Sequence, residues 1–540
     1  MKSRRKFQIF VLITLLFFSL SLGFSDLWES IFLIPEVQNA SALNKVNNWN
    51  FNGNSTGWTA TNGTGTDVCG STGTTAETNM ETFAYDNTVG NPLGSFKSQL
   101  NTTANNVNRA GKITQTVVAP GSGNVKVKGR FDYYTSGVSW NGSTDTSWVR
   151  VDLYNNTDTT YVENLACVSF NSNIAWNTVS FGSDVTVSGG TTYTIRVTTR
   201  IRNSSTNGAD TIWVDNVVVN FAPTGLTPSA PADTKNAQLN WTTSTAGTGA
   251  PGLHATTPYK VYRDSGSPVS TFLANATTNS YTDSSTTGNT TYYYAITDYS
   301  TNNIESPMSA EVSILTRPGA PGTPTFTLVK DTTLRVNWAA PTGGSTSYKV
   351  ERCSGTGCSS FSQITSGETN LYYNDSGLSA GSIYRYRVRG TNATGDGVYS
   401  SSSADVTTYV ISVSITANPT IDYGEMSTSE SKTTIQLGTT PRATYTGTAT
   451  VDLYIKSSNA TNGTGWTLGS SAGENVFVHE FSVTAGDPWT IFVDSSTYSV
   501  LATSFTNNDY KDFDLRITTP TISDAVQKSI SVTVMVTIPD

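Results

Sequence analysis

In segment after segment of this chain, apolar side chains return at every second residue. Leu334, Val336 and Trp338 face one way in "LRVNW" while Arg335 and Asn337 face the other. Near the C-terminus, Ile530, Val532, Val534, Val536 and Ile538 alternate with Ser, Thr and Met in the same manner. A period of two fits a strand with one buried face, whereas a helix would need apolar residues three and four apart. Composition agrees: only 13% of residues are charged, and Thr, Ser, Asn and Gly with prominent Tyr and Trp suit strands and polar turns. At 540 residues the chain is long enough for several such domains. The expected class is all-β, a multi-domain chain of β-sandwiches.

The N-terminus reads as an export signal. Lys2, Arg4, Arg5 and Lys6 precede an uncharged apolar run from Phe7 to Phe24, and Ala40-Ser41-Ala42 supplies small residues suited to a signal peptidase. Residues 1–42 are therefore a signal peptide or, because the run approaches spanning length, an uncleaved anchor helix. Either places the protein outside the cell, secreted or at the surface, and a membrane is a partner only if the segment is retained. Net charge is −8, with no basic block beyond the first six residues, so no nucleic-acid partner is expected.

Two segments repeat each other. Trp241 pairs with Trp338, Tyr259 with Tyr348, and Tyr292 and Tyr294 with Tyr384 and Tyr386. The offset of about 90 residues is a common size for a seven-stranded sandwich. With a Pro-containing first strand, Trp on the second, "YKV" on the third and "GLSAGSIYRYRV" leading into the sixth, residues 222–408 resemble the fibronectin type III family. The resemblance implies two sandwiches, 222–317 and 318–408, with both Trp and Tyr384 in their cores. The Pro-rich "TRPGAPGTP" would be a stiff link between them. Residues 409–540 are again strand-rich, and a further sandwich is the expectation there.

Upstream, residues 43–221 hold about eight strand-like segments without helical period. With "NWNFNGNSTGW" at one end and "IWVDNVVVNF" at the other, this region resembles the jelly-roll sandwiches of carbohydrate-binding modules and galactose-binding-like domains. In that family the opening segment and the final-strand Asp hold a structural calcium. Asp215 matches that acid, while Asn50 and Asn52 stand where acids would. A structural calcium is the one cofactor the resemblance implies.

Cys353 and Cys358 flank "SGTG", whose Gly355 and Gly357 supply turn residues and bring the two within disulfide reach. A zinc site would need two more ligands nearby. Cys69 and Cys167, the other two, fall in the 43–221 domain and are expected to pair. Disulfides and an export signal agree on an oxidising compartment.

Little in the chain suggests catalysis, and no catalytic residue is nominated. His254 and His479 fall in different expected domains, and no G-x-S-x-G elbow supports a serine triad. Asp132, Asp152, Glu163 and Asp184 form no compact acidic motif. Asp509, Asp512 and Asp514 lack the spacing and glycine of an EF-type calcium loop and read as a solvated turn. Trp466 and Trp489 read as core.

A binding face is better supported. Alternation puts Trp148, Arg150, Asp152 and Tyr154 on one side of their strand, and Lys126, Lys128, Arg130, Asp132 and Tyr134 on one side of theirs. Arg196, Arg200 and Arg202 do likewise on a third strand. If these strands share a sheet, one face offers aromatic plates beside charged hydrogen-bonding groups, the pairing that sugars need, with Trp140 at its rim. The plainer reading is a solvated, salt-bridged face. Three functions follow: an exported glycan-binding adhesion protein with fibronectin-like spacers and other surface proteins as further partners, a ligand-free structural component of the cell envelope packing against copies of itself, or a polysaccharide-degrading enzyme.

Overall fold

The computed structural model describes residues 41–42, 58–62, 78–79, 82–90, 93–100, 107–138, 147–158, 160–179, 184–203, 210–246, 252–463, 465–522 and 525–539. The chain is built of β-sheets throughout; among the described residues its helix is the single turn Thr434–Leu437. No described helix is long and apolar enough to cross a membrane. The segment read as signal or anchor lies outside the described residues, apart from Ser41–Ala42. Two compact units divide the chain: the first takes in the N-terminal sandwich and most of the first repeat, the second the remainder.

Up to Phe221 the strands are β1 (Ser41–Ala42), β2 (Thr59–Asn62), β3 (Thr78–Asn79), β4 (Thr82–Gly90), β5 (Leu93–Leu100), β6 (Val107–Val118), β7 (Asn124–Ser136), β8 (Ser147–Asn155), β9 (Tyr161–Phe170), β10 (Asn177–Val179), β11 (Val185–Ser188), β12 (Thr192–Asn203) and β13 (Asp210–Phe221). β1 pairs in parallel with Ser244–Thr245 of the first repeat. One sheet runs β10-β7-β13-β5-β4, with β11 also on β7; the other runs β2-β6-β12-β8-β9, with β3 on β6. Alternation does its work here. Val127, Phe131 and Tyr133 of β7 face Val149, Val151 and Leu153 of β8 and Ile195 and Val197 of β12 across one apolar core. Each such side chain contributes roughly 1.5–3 kcal/mol by leaving water. Gly129 is required by this closeness, since a Cβ there would come within 2.8 Å of the Leu165 Cβ from the opposite sheet.

The first repeat sets Thr227–Ser229, Ala237–Asn240 and Ser280–Asp283 against a sheet of Phe272–Ala276, Tyr259–Asp264, Thr291–Asp298 and Val312–Leu315. The second repeats this order with Thr325–Thr327, Thr333–Asn337 and Tyr372–Ser376 against Ser362–Glu368, Ser347–Ser354, Ile383–Asn392 and Gly395–Tyr399. Trp241 meets Tyr259 edge-on at 5.2 Å, and Trp338 meets Tyr348 in the same way at 5.4 Å. Tyr384 is buried as expected, its hydroxyl accepting from Ser379 N at 3.0 Å. Ile304 of the first repeat is buried in the core of the N-terminal sandwich, so that repeat is no free-standing spacer.

Each repeat also buries a carboxylate at the same place. Asp283 accepts from the Tyr294 hydroxyl at 2.8 Å and Arg263 Nη1 at 2.6 Å. Asp375 accepts from the Tyr386 hydroxyl at 2.7 Å and Arg352 Nη1 at 2.9 and 3.0 Å. Burial, reinforced by the adjoining carboxylate, pushes both phenols far above their ordinary value. Burial disfavours the Asp283 charge, yet hydrogen bonds from Ser285, Tyr294 and Arg263 hold it below the usual carboxylate range.

The last domain packs three small sheets around one core that includes Tyr445, Leu453, Phe477 and Phe492. Its final strand, Val532–Thr537, packs Val532, Val534 and Val536 only partly buried against that core. His479 is buried between Phe477 and Phe492, with ring separations of 6.4 and 5.3 Å. Its Nδ1 lies 2.7 Å from Ser457 Oγ, and its Nε2 has no hydrogen-bond partner. Burial alone brings its pKa down to about 4.

Two outcomes are expected. Asp375→Ala strands a guanidinium and a buried hydroxyl, and should cost roughly 2–4 kcal/mol in urea unfolding of the whole chain, against about 1 kcal/mol for Tyr386→Phe. The unfolded chain protonates His479 near its ordinary value whereas the folded chain resists to about pH 4. Stability of the last domain is therefore full above about pH 6.5 and falls by up to about 3 kcal/mol on acidification to pH 4. The urea midpoint followed against pH should show this fall in the wild type and a flatter profile in His479→Gln.

Candidate functional site

Pairing places the nominated residues in two different sheets. Trp148, Arg150, Asp152 and Tyr154 do share a face of β8, and the register aligns them with Arg200, Thr198, Arg196 and Thr194 of β12. Arg130, Asp132 and Tyr134 lie on the outward face of β7, across the core on the far side of the sandwich. The single face expected from the sequence is two faces. Alternation fixes the side of a strand, but pairing with distant strands decides the sheet.

The β8 face is closed. Trp148, Arg150, Asp152 and Tyr154 are 0, 1, 1 and 6% exposed. Arg150 sits 5.9 Å from the ring centres of both Trp148 and Tyr161. Its Nε lies 2.7 Å from Asp152 Oδ2, and its Nη2 donates to Oδ1 at 2.9 Å. Asn164 Nδ2 adds a bond to the same carboxylate at 2.7 Å. Burial pushes the Asp152 pKa up against the opposing pull of Arg150. Arg196 lies 3.4 Å over the Tyr154 ring and donates to Asp158, which Lys112 also contacts. These four residues, read from the sequence as a sugar face, are a buried ion-pair and ring cluster that no polysaccharide reaches in this conformation.

The outward face of the β7 sheet is partly open: Tyr134, Trp176, Lys97 and Arg130 are half-buried, while Trp213, Asp132 and Asn216 beneath them are buried. Tyr134 stacks on Trp176 at 5.7 Å and 29°, and leans on Trp213 at 5.1 Å and 46°. Lys97 Nζ lies 5.6 Å over the Trp213 ring. Register explains the row: Trp213 of β13 stands opposite Tyr134 of β7 on one side and Lys97 of β5 on the other. Trp176 immediately precedes β10, which pairs with β7. Tyr134, Trp176 and Lys97 are half-buried, and Trp213 is the buried member.

Beside the row, Asp132 is held by neutral donors. Thr178 Oγ1 and Asn216 Nδ2 each donate to it at 2.6 Å. A β-bulge between Asp215 and Val218 puts Asn216 at φ +48°, and aims its amide at Asp132. Asp215 is fully buried and accepts from Asn216 N at 2.7 Å. An aromatic row next to a fixed carboxylate, amide and hydroxyl can stack an apolar ring face and bond its polar rim.

The other nominated residues fall elsewhere. Trp140, Cys69, Asn50 and Asn52 lie outside the described residues, and among the described residues no group of three or more His, Cys, Asp or Glu could hold a metal. Cys167, opposite Arg150 on β9, is disulfide-bonded. Cys353 and Cys358 are joined, with Cα atoms 6.0 Å apart. Cys358 precedes rather than belongs to the second strand of its hairpin, because pairing begins at Ser362. His254 accepts from Thr257 N at 3.2 Å. Asp509, Asp512 and Asp514 bond respectively to Thr506, Arg442 and the pair of buried Thr434 and half-buried Thr440. Trp466 is core, whereas Trp489 is half-buried against Arg516, 4.7 Å away.

Trp176, Trp213 and Lys97 went unnominated. Trp213 carries a usable signal, since it alternates with Asp215 in "TIWVDN". Trp176 sits in an irregular lead-in to a three-residue strand, where no local pattern marks it.

Comparison with known proteins bears on the second repeat and on the setting. Residues 319–407 match the fibronectin type III domain family. Over 228 residues the chain is 30% identical to exoglucanase B of Cellulomonas fimi, a match covering 40% of this chain and 19% of that protein. The two-domain fibronectin type III segment of chicken tenascin is 17% identical, with a TM-score of 0.23, covering 34% of this chain and 99% of its own. The FN1–FN3 domains of chicken CNTN1 are 12% identical, with a TM-score of 0.21, covering 58% and 97%. Residues 319–407 are thus a fibronectin type III domain in an all-β chain.

The two faces of the N-terminal sandwich should respond oppositely to substitution. Trp148→Ala empties a fully buried site and is expected to cost about 3–5 kcal/mol of stability. Trp176→Ala, at a half-exposed position, should cost no more than about 1 kcal/mol. Thermal unfolding of the two variants side by side checks this contrast.

Proposed function

We propose that this is an exported, non-catalytic protein that binds polysaccharide on the outward face of the β7 sheet, with the fibronectin-type modules presenting that face. The observation that carries this reading is the half-buried pair Trp176 and Tyr134, backed by buried Trp213 and set beside Asp132, Asn216 and Thr178. A pyranose has an apolar C–H face and a hydroxyl rim. Trp176 and Tyr134 would cover the first, and the accessible polar groups beside them, Thr178 and Arg130, would bond the second. The resemblance of residues 43–221 to carbohydrate-binding modules supports a polysaccharide partner. So does the partial match to a protein named as an exoglucanase. Export is supported by the N-terminal signal pattern and by disulfide-bonded Cys167, Cys353 and Cys358.

The test is a glycan array followed by affinity measurement on the full chain. Trp176→Ala and Tyr134→Ala should each weaken binding about tenfold or more, a loss of roughly 1.4 kcal/mol. Binding that survives both substitutions removes the site. An array with no hits favours the structural-component reading, and release of reducing sugar from a polysaccharide panel favours the enzyme.

A further inference from the structure

The aromatic row stands at one end of a line of charge. Along β7 the outward positions run Lys126, Lys128, Arg130, Asp132 and Tyr134, so successive side chains leave the strand roughly 6.6 Å apart. Lys97 lies beyond Trp213 at the other flank. Lys97 and Arg130 therefore flank the row, Lys128 and Lys126 continue the line away from it, and the acids beside the row are occupied. Both oxygens of Asp132 accept from Thr178 and Asn216, and Asp215 accepts from Asn216 N. Arg130 Nη2 is 3.9 Å from Asp132 Oδ1, beyond hydrogen-bond reach, and its side chain is 26% exposed. Lys126 is 47% exposed and only loosely matched to Asp184, at 3.8 Å. Lys128 is half-buried, and burial lowers its pKa against the pull of Asp184 and Glu305.

We infer that the polysaccharide taken by this face is acidic: a uronic-acid-containing chain whose rings lie on Trp176 and Tyr134 and whose carboxylates meet Arg130 and Lys126. This rests on the reading of the face as a glycan site and names the class of glycan. The whole chain carries −8 and repels a polyanion, so a uronate polymer binds only where local charge and geometry overcome that field. A partly exposed guanidinium that does not hydrogen-bond its neighbouring acid offers a carboxylate charge-assisted hydrogen bonds that a neutral hydroxyl does not match.

The experiment compares polygalacturonate with its fully methyl-esterified form, titrated against the full chain. The free acid should bind about tenfold tighter, and the advantage should shrink as salt is raised to about 0.5 M. The double variant Lys126→Gln/Arg130→Gln should erase the difference between the two forms, while Trp176→Ala should weaken both. Equal binding of acid and ester, or an advantage untouched by the double variant, overturns the inference. If a neutral glucan binds in a Trp176-dependent manner and polygalacturonate does not, the acidic class falls and the glycan site stands. If no polymer binds, both fall. Dextran sulfate binding as tightly and ignoring Trp176→Ala would mark bare charge attraction and also overturn it.

Discussion

Closure of two sheets on one apolar layer is the constraint from which the rest of this molecule follows. Once Val127, Phe131 and Tyr133 turn inward against Val149, Val151 and Leu153, the neighbouring residues on the same strands must point out. Chemistry is therefore confined to the outward faces, the edges and the loops. In the N-terminal sandwich the two outward faces have opposite fates, one sealed and one accessible, and that difference decides where a ligand can lie.

The sealed face and the two repeats use one device. Arg150–Asp152, Arg263–Asp283 and Arg352–Asp375 each place a guanidinium on a buried carboxylate, with Asn164, Tyr294 or Tyr386 supplying a further donor. Desolvation cancels much of the Coulomb gain in such pairs, so their worth lies in what breaking them would cost. On the β7 face the device differs. Asp132 is satisfied by an amide and a hydroxyl, and Arg130 Nη2 stands 3.9 Å away.

The two repeats carry their own cores, yet the first is tied to the N-terminal sandwich through buried Ile304. A packed contact of this kind holds the β7 face at a fixed attitude to the first repeat, which a flexible linker would not.

Much of the fold was legible because its signals are local. A period of two, turn glycines and a duplicated Trp–Tyr pattern mark strands, hairpins and the paired repeats without reference to distant residues, and the Cys353–Cys358 staple spans five residues. The site was only half legible. Sequence determined that Trp148, Arg150, Asp152 and Tyr154 share one side of a strand, and that Lys126 to Tyr134 share one side of another. It could not determine that β8 pairs with β12 while β7 pairs with β13, because those hydrogen bonds join residues far apart in the chain. That pairing put the two sets on opposite sides of the core and brought Trp213 to Tyr134, while β10 on β7 brought Trp176 there.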